Sequence, residues 1–384
     1  MDKNELRAWL RLSMTEGVGN EAARKLLACF SSPQAVFEQT EAALCQVATP
    51  KQAQALLTVP NELAVQCVRT HQWLMHQPDT HTHALWTLGD SHYPPELLQL
   101  ADPPLMIYVA GQTERTLGNA VAIVGSRNPT PQGAQTAEQF GEALCAAGLC
   151  VVSGLALGVD GAAHKGALHG GASSATEGKH WHTVAVVGTG LDRVYPRQHQ
   201  TLASQIALHG LLISEYHLGT APLAHHFPKR NRIIAALGLG TLVVEAALKS
   251  GSLITAKMAL DLNREVLAIP GSIHATQSHG CHALIRQGAK LVENAQDVLE
   301  ELQLAPQQQV NLFAEALEAE DDAGASGDGH PLLIHMGFAP VSLDALQARC
   351  GLDTATLQAQ LLTLELDGAV GRLPGGLFQR LATT

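Results

Sequence analysis

Little in this chain is aromatic, just 4% of its 384 residues, and only 15% is charged. No apolar run reaches the roughly 18 residues that a membrane-spanning helix needs. The N-terminus, Met1 to Glu5, leads into a mixed polar helix rather than the apolar core of a signal peptide. Secretion and membrane spanning are therefore not expected. Seven cysteines, an odd number with no CxxC, predict reduced thiols and a cytoplasmic location. GxxxxGK[ST], HExxH and GxSxG are all missing, which excludes a P-loop ATPase, a zincin site and a nucleophile elbow. The nineteen histidines show no paired ligand spacing. No metal and no cofactor are expected.

What is present is an ordinary globular composition, long enough for two or three domains. A formal charge of −11 argues against a nucleic-acid partner, because phosphate contacts rest on Lys and Arg. The charge is unevenly spread. Residues 119–290 hold 9 acidic and 13 basic residues, net +4, whereas 291–330 hold 10 acidic residues and no base. The acidity is thus concentrated beside a net-positive middle.

Residues 5–75 carry apolar residues at helical spacing. Between the first two helices, Gly17-Val18-Gly19-Asn20 allows a tight turn, with Asn20 placed to cap the second helix. A helix-hairpin-helix would use such a turn to meet a DNA phosphate, but an ordinary turn in a compact helical bundle is the favoured reading. From residue 119 short apolar runs alternate with helical stretches: Val121–Val124, Cys150–Val152, Val184–Val187, Leu211–Ile213, Leu242–Val244 and Val266–Ile269. Such continuous runs predict an α/β fold, an open doubly wound parallel sheet covered on both faces, with ligands at the carboxyl ends of the strands. Gln307–His330 loses periodicity and reads as an acidic flexible linker. After Pro331, a Ser342-capped helix, a turn at Gly351, an Asp353-capped helix and a hairpin through Pro374-Gly375-Gly376 predict a winged helix.

Four strand-end loops carry candidate chemistry. Gly125-Ser126-Arg127 ends the first run; its glycine lets a ligand approach the backbone, the next helix start offers free amides, and Arg127 can grip an anion. This is not GxGxxG, so a dinucleotide is not supported. In Ser153–His164, Asp160 is placed to cap a helix and His164 to pack rather than to ligate. After the third run, Tyr195 can stack a base and Arg197 can hold a phosphate, or both are turn residues. The densest signal is His226-Phe227-Pro228-Lys229-Arg230-Asn231-Arg232, where cations cluster at a helix start that ordinarily disfavours them. Basic charge tracks a backbone, and an aromatic face stacks any base, so this is a single-strand binding pattern. Glu245, followed by Lys249-Ser250-Gly251-Ser252, closes the crevice and either pairs with an arginine or is catalytic. Gly170–His182, with His180-Trp181-His182, reads as a surface loop.

These runs, together with Ile269–Ser272 and His279–Val292, make the chain resemble the DprA/Smf family of bacterial DNA-processing proteins. The resemblance covers the whole central region and implies an extended Rossmann-like domain at 81–303. Around it stand a helical SAM-like or helix-hairpin-helix-like domain at 1–80, a linker at 304–330 and a winged helix at 331–384. It implies a non-enzymatic, cytoplasmic single-stranded-DNA binder that dimerises, protects incoming DNA in natural transformation and loads RecA recombinase. The DNA-binding residues it implies are Gly125, Ser126, Arg127, Arg197, Phe227, Lys229, Arg230, Asn231, Arg232 and Lys249; the dimer residues are His282, Ile285 and Leu291. Ala224 departs from the lysine that some relatives carry there, and the insertion near 172–182 lengthens one loop. The alternative is a nucleotide-processing enzyme of the phosphoribohydrolase type, but Pro270-Gly271-Ser272 lacks that family's glycines and glutamate. The second winged-helix helix, Thr354–Leu366, has no Lys or Arg, which favours a protein contact over DNA reading.

Overall fold

A computed structural model describes residues 1–172, 178–304, 330–337 and 340–381. Residues 305–329 of the expected acidic linker and 173–177 of the expected 172–182 insertion therefore lie outside the described residues. Six helices open the chain: α1 (Lys3–Met14), α2 (Asn20–Phe30), α3 (Pro33–Phe37), α4 (Glu41–Leu44), α5 (Pro50–Leu57) and α6 (Leu63–Met75). Asp2 caps α1 by accepting the amides of Asn4 and Glu5, and Leu6, Trp9 and Leu10 form its buried face. The Gly17–Asn20 turn is an internal one. Val18 is buried, Gln52 donates to the Gly17 carbonyl, and Asn20 does not cap α2 but donates to Asp102.

The central sheet has nine strands: β1 (Thr82–Thr87), β2 (Met106–Gly111), β3 (Ala120–Val124), β4 (Cys150–Ser153), β5 (Thr183–Val186), β6 (Leu211–Ser214), β7 (Gly240–Val243), β8 (Glu265–Ala268) and β9 (Lys290–Leu291). Their spatial order is β1-β2-β6-β5-β4-β3-β7-β8-β9. From β6 to β9 all pairings are parallel, for example Val121 with Val151 on one side and with Gly240 on the other. The helices that cover the faces are α7 (Pro131–Ala146), α8 (Val159–Gly171), α9 (Gln200–His209), α10 (His226–Leu237), α11 (Ser252–Asp261), α12 (His279–Arg286) and α13 (Ala295–Glu301). Each of the six expected apolar runs coincides with a strand to within a residue or two at its ends, and all are buried on both faces but for the half-buried Leu212 and Ile269. The expected doubly wound parallel sheet is there, with one amendment: β2 runs antiparallel to β6, and β1 antiparallel to β2. The residues before β5 need another. Gly170 and Gly171 close α8, Trp181 and His182 are buried, and the Trp181 indole donates to the Gln112 carbonyl at 2.7 Å.

The chain winds outward from β3 to β6, then returns to place β7 on the other side of β3. The switch point thus lies between β3 and β7, where the loops that follow these strands diverge and leave a crevice. The sheet and the helical region are not separately packed. Leu85, Met106, Tyr108 and Leu218 share one hydrophobic cluster with Leu10, Leu26, Leu56 and Leu63. A buried polar chain crosses the same boundary. The Tyr108 hydroxyl lies 3.2 Å from both Thr70 Oγ1 and His217 Nδ1, and His217 Nε2 lies 3.3 Å from Ser13 Oγ. Burial pulls the His217 pKa down to about 4.

At the far end come α14 (Pro331–Met336), β10 (Val341–Ser342), α15 (Leu343–Cys350), α16 (Thr354–Leu366), β11 (Val370–Leu373) and β12 (Leu377–Arg380). Ser342 and Asp353 cap α15 and α16 as expected, and Gly351 ends α15 at φ 69°. The sequence pattern gave no sign of β10, which pairs with β12 as a third strand.

Candidate nucleic-acid interface

At the switch point the described residues enclose an open cleft of about 490 Å³. Gly125, Ser126, Arg127, Phe227, Arg230, Asn231 and Lys249 all line it, so the structure gathers seven of the ten predicted binding residues. Gly125 is needed twice over. It ends β3 at the cleft floor, and a Cβ there would lie 2.7–2.9 Å from the Val159 side chain of α8. Gly158 (φ 84°) turns the chain into α8, and the Val159 amide donates to the Ser126 carbonyl at 3.1 Å.

Arg127 leaves this loop exposed, with its guanidinium 5.6 Å from the centroid of Phe227. Phe227 in turn lies 5.6 Å from the ring of Tyr195, which is 47% exposed. A cation and two aromatic rings thus form one continuous wall. Lys249 is exposed at the head of the loop leading into α11, where Ser250 and Ser252 share a 2.7 Å hydroxyl contact. Arg197 lies outside the cleft, exposed on a short 3-10 turn after Tyr195.

The expected anion site at the start of α7 is already filled. Thr130 caps the helix through the Gly133 amide, and it donates its own N–H and hydroxyl to the Glu245 carboxylate at 2.9 and 2.6 Å. Glu245 is therefore engaged with Thr130 rather than with an arginine. A Cβ on Gly133 would touch this carboxylate at 2.3 Å. Burial raises the Glu245 pKa, and the Thr130 bonds oppose the shift. With its own carboxylate there, this helix start attracts no second anion; positive charge at the cleft comes from Arg127 and Lys249.

The Lys229–Arg232 run also divides. Arg230 is only 4% exposed and donates to the carbonyls of Gly154 (2.6 Å) and Val186, tying α10 to the ends of β4 and β5. Its pKa is pushed down to about 10 by burial, against the pull of Asp160 nearby. Asp160 does not cap α8: no side chain caps that helix, and Asp160 accepts the Ala156 amide in the preceding loop. Burial raises its pKa while Arg230 lowers it. Arg232 pairs with Glu215, a carboxylate whose side chain is 5% exposed. Lys229 is half exposed, 3.9 Å from the same carboxylate and 5.9 Å from the Tyr216 ring. Arg230 thus acts mainly inward, Arg232 is neutralised locally, and Lys229 is the most exposed of the three while staying within ion-pair range of Glu215.

His164 is buried with Nδ1 2.7 Å from Thr183 Oγ1, a packing role as expected. Sequence reading missed the buried Thr255 and the half-buried Gln277 in the lining, where the Gln277 amide donates to the Asn128 carbonyl at 3.0 Å; neither sits in a pattern that marks it. Of the predicted dimer residues, Leu291 is exposed on the outermost strand β9. His282 and Ile285 are half buried on α12, with His282 Nε2 3.0 Å from the Gly271 carbonyl.

Comparison with known proteins bears on this cleft. The profile of the DNA recombination-mediator protein A family matches residues 84–303. The chain belongs to the DprA/Smf family. The DprA winged helix domain profile matches residues 316–376. Protein Smf of Escherichia coli is 36% identical over 96% of this chain and 94% of its own length. DNA processing protein DprA of Streptococcus pneumoniae is 46% identical over 57% of this chain and 74% of its own. Among solved structures, the Streptococcus pneumoniae DprA has a TM-score of 0.64 at 34% identity, covering 78% of this chain and 98% of that one. The Helicobacter pylori DprA, whose structure concerns a single-stranded DNA binding mode, has a TM-score of 0.50 at 30% identity, covering 57% and 95%. This is a DprA fold, with its winged helix, and no helix among the described residues is long and apolar enough to cross a membrane.

Proposed function

We propose that the switch-point cleft binds single-stranded DNA without a chemical step, and that the protein shields the strand and passes it to RecA recombinase during transformation. The observation that carries the reading is the Arg127–Phe227 pair lining the same cleft as Lys249, with the exposed Tyr195 ring beside Phe227. Bases stack on rings regardless of identity, while the two cations meet phosphates, which is how a strand of any sequence is held. Gly125, Ser126 and Asn231 bring backbone and amide groups close to the strand. Lys229 and Arg197 extend the positive path on either side, while Arg230 and Arg232 hold the cleft in shape. Two chains joined through His282, Ile285 and Leu291 would present two such clefts to one strand.

The test is Arg127→Ala with Lys249→Ala, with binding to a short oligo-dT measured by anisotropy across a salt series. Each lost single-strand phosphate contact lowers the log–log salt slope by about 0.7, so the double variant should lose about 1.4. An unchanged slope and affinity would sink the cleft assignment. Handover is read separately, as recombinase ATPase activity on DNA coated with single-strand binding protein; no stimulation by this protein would reject that step alone.

A further inference from the structure

Helix α16 of the winged helix buries Leu357, Leu361 and Leu364 against its own small core. On its other side Ala355, Ala359, Leu362 and Leu366 are all exposed, the two leucines at 53% and 80%. Spaced i, i+4, i+7 and i+11, they fall on one straight stripe. Nothing on the helix suits it to phosphate, since Thr354–Leu366 carries no cation and Glu365 pairs with Arg372. An uncharged apolar stripe on the second helix of a winged helix points to a protein partner instead.

The order of residues along the stripe says which one. In an antiparallel pairing of two copies about a twofold axis between Gln360 and Leu361, Ala355 meets the partner copy's Leu366, and Ala359 meets its Leu362. Each large side chain faces a small one, so the two helices can close to the short end of the usual 8–10 Å separation. On the flanks Gln358 meets Thr363 and Thr356 meets Glu365, so no like charges are opposed. A parallel pairing would set Ala against Ala and Leu against Leu, leaving gaps and collisions. We propose that α16 is a self-association surface, pairing antiparallel with α16 of a second copy of this chain. The surface is separate from the β9 and α12 region. One helix pair buries less than the roughly 1,200–2,000 Å² of a stable interface, so the contact forms at high local concentration.

Disulfide trapping in the full chain tests it. In a background of Cys29→Ser and Cys45→Ser, which removes the exposed thiols, Ala355→Cys and Leu366→Cys chains are prepared separately. They are oxidised alone and as an equal mixture, both in concentrated solution and on a long oligo-dT strand. An antiparallel pair puts like positions about 16 Å apart along the axis, from the 1.5 Å helical rise, and unlike positions in contact. The mixture should therefore give several-fold more cross-linked dimer than either chain alone. Ala359→Glu in both partners, which sets a carboxylate against the partner copy's Leu362, should abolish the excess. Equal yields in mixture and single samples, greater yields in single samples, or no excess in either condition would overturn the proposal, as would indifference to Ala359→Glu. All five substituted positions are exposed, and unchanged far-ultraviolet circular dichroism confirms each fold.

Discussion

Arg230 offers the sharpest division between a group that holds the site together and one that touches its ligand. Replacing it with Met keeps the length but deletes a charge that is 4% exposed. The carbonyls of Gly154 and Val186 lose their donor, and Asp160, also buried, loses its compensating cation. Removing one member of a buried charged group costs about 3–5 kcal/mol, because the remainder stays desolvated and unpaired. In a domain of this size each kcal/mol moves Tm by about 2–4 °C, so Arg230→Met should unfold about 6–20 °C earlier by calorimetry. Held cold enough to remain folded, its salt slope on oligo-dT should equal the parent's, since no phosphate contact has gone. Arg127→Ala should show the converse, a flatter slope with an unchanged Tm. If Arg230→Met kept its Tm and lost slope, the inward role assigned to it would be wrong.

Other consequences can be checked on the same preparations. The buried His217 stays neutral in the folded chain down to about pH 4, whereas unfolded it protonates near 6.5. Its contribution is full above pH 6.5 and is lost as pH falls through that window, about 2 kcal/mol by pH 5. His217→Gln should flatten that part of a urea-unfolding series between pH 7.5 and 4.5, and an unchanged pH slope would refute the assignment. Glu245→Ala strips both acceptors from Thr130 and should cost about 1–3 kcal/mol in thermal unfolding, while Glu245→Gln, which keeps an acceptor in place, should cost less. Deleting residues 307–330 removes six acidic residues from the chain, so affinity for oligo-dT should rise at low salt and converge with the parent's at high salt; identical low-salt affinities would make the segment a spacer only.

Six of the seven parallel strands were legible because burial leaves an unbroken apolar run, whereas the two-residue β9, exposed at the sheet edge, was not. Strands β1 and β2 were not, since Thr82, His83 and Thr87 interrupt one and the other lies outside any alternation of strand and helix. Within the site, Gly125, Arg127, Phe227 and Lys249 could be read from residue type and from position after a strand. The inward turn of Arg230 was hidden by its charged neighbours, although His226, Arg230, Ile233, Ile234 and Leu237 form the buried face of α10 at helical spacing. Periodicity there carried information that residue type concealed. The Glu245–Thr130 contact joins residues 115 positions apart, and neither one's local pattern announces the other.

The hydrophobic cluster shared by the helical region and the sheet governs how this protein can be taken apart. A fragment starting near residue 81 would expose Leu85, Met106, Tyr108 and Leu218 in one stroke and strand His217 without Ser13. Such a fragment would present a sticky flank to every other molecule in the tube, and its loss of DNA binding would say nothing about the residues removed. Biochemistry therefore needs the helical region and the sheet kept together; the winged helix, with a hydrophobic core of its own, meets them where Gly371 lies against Pro131 at the start of α7.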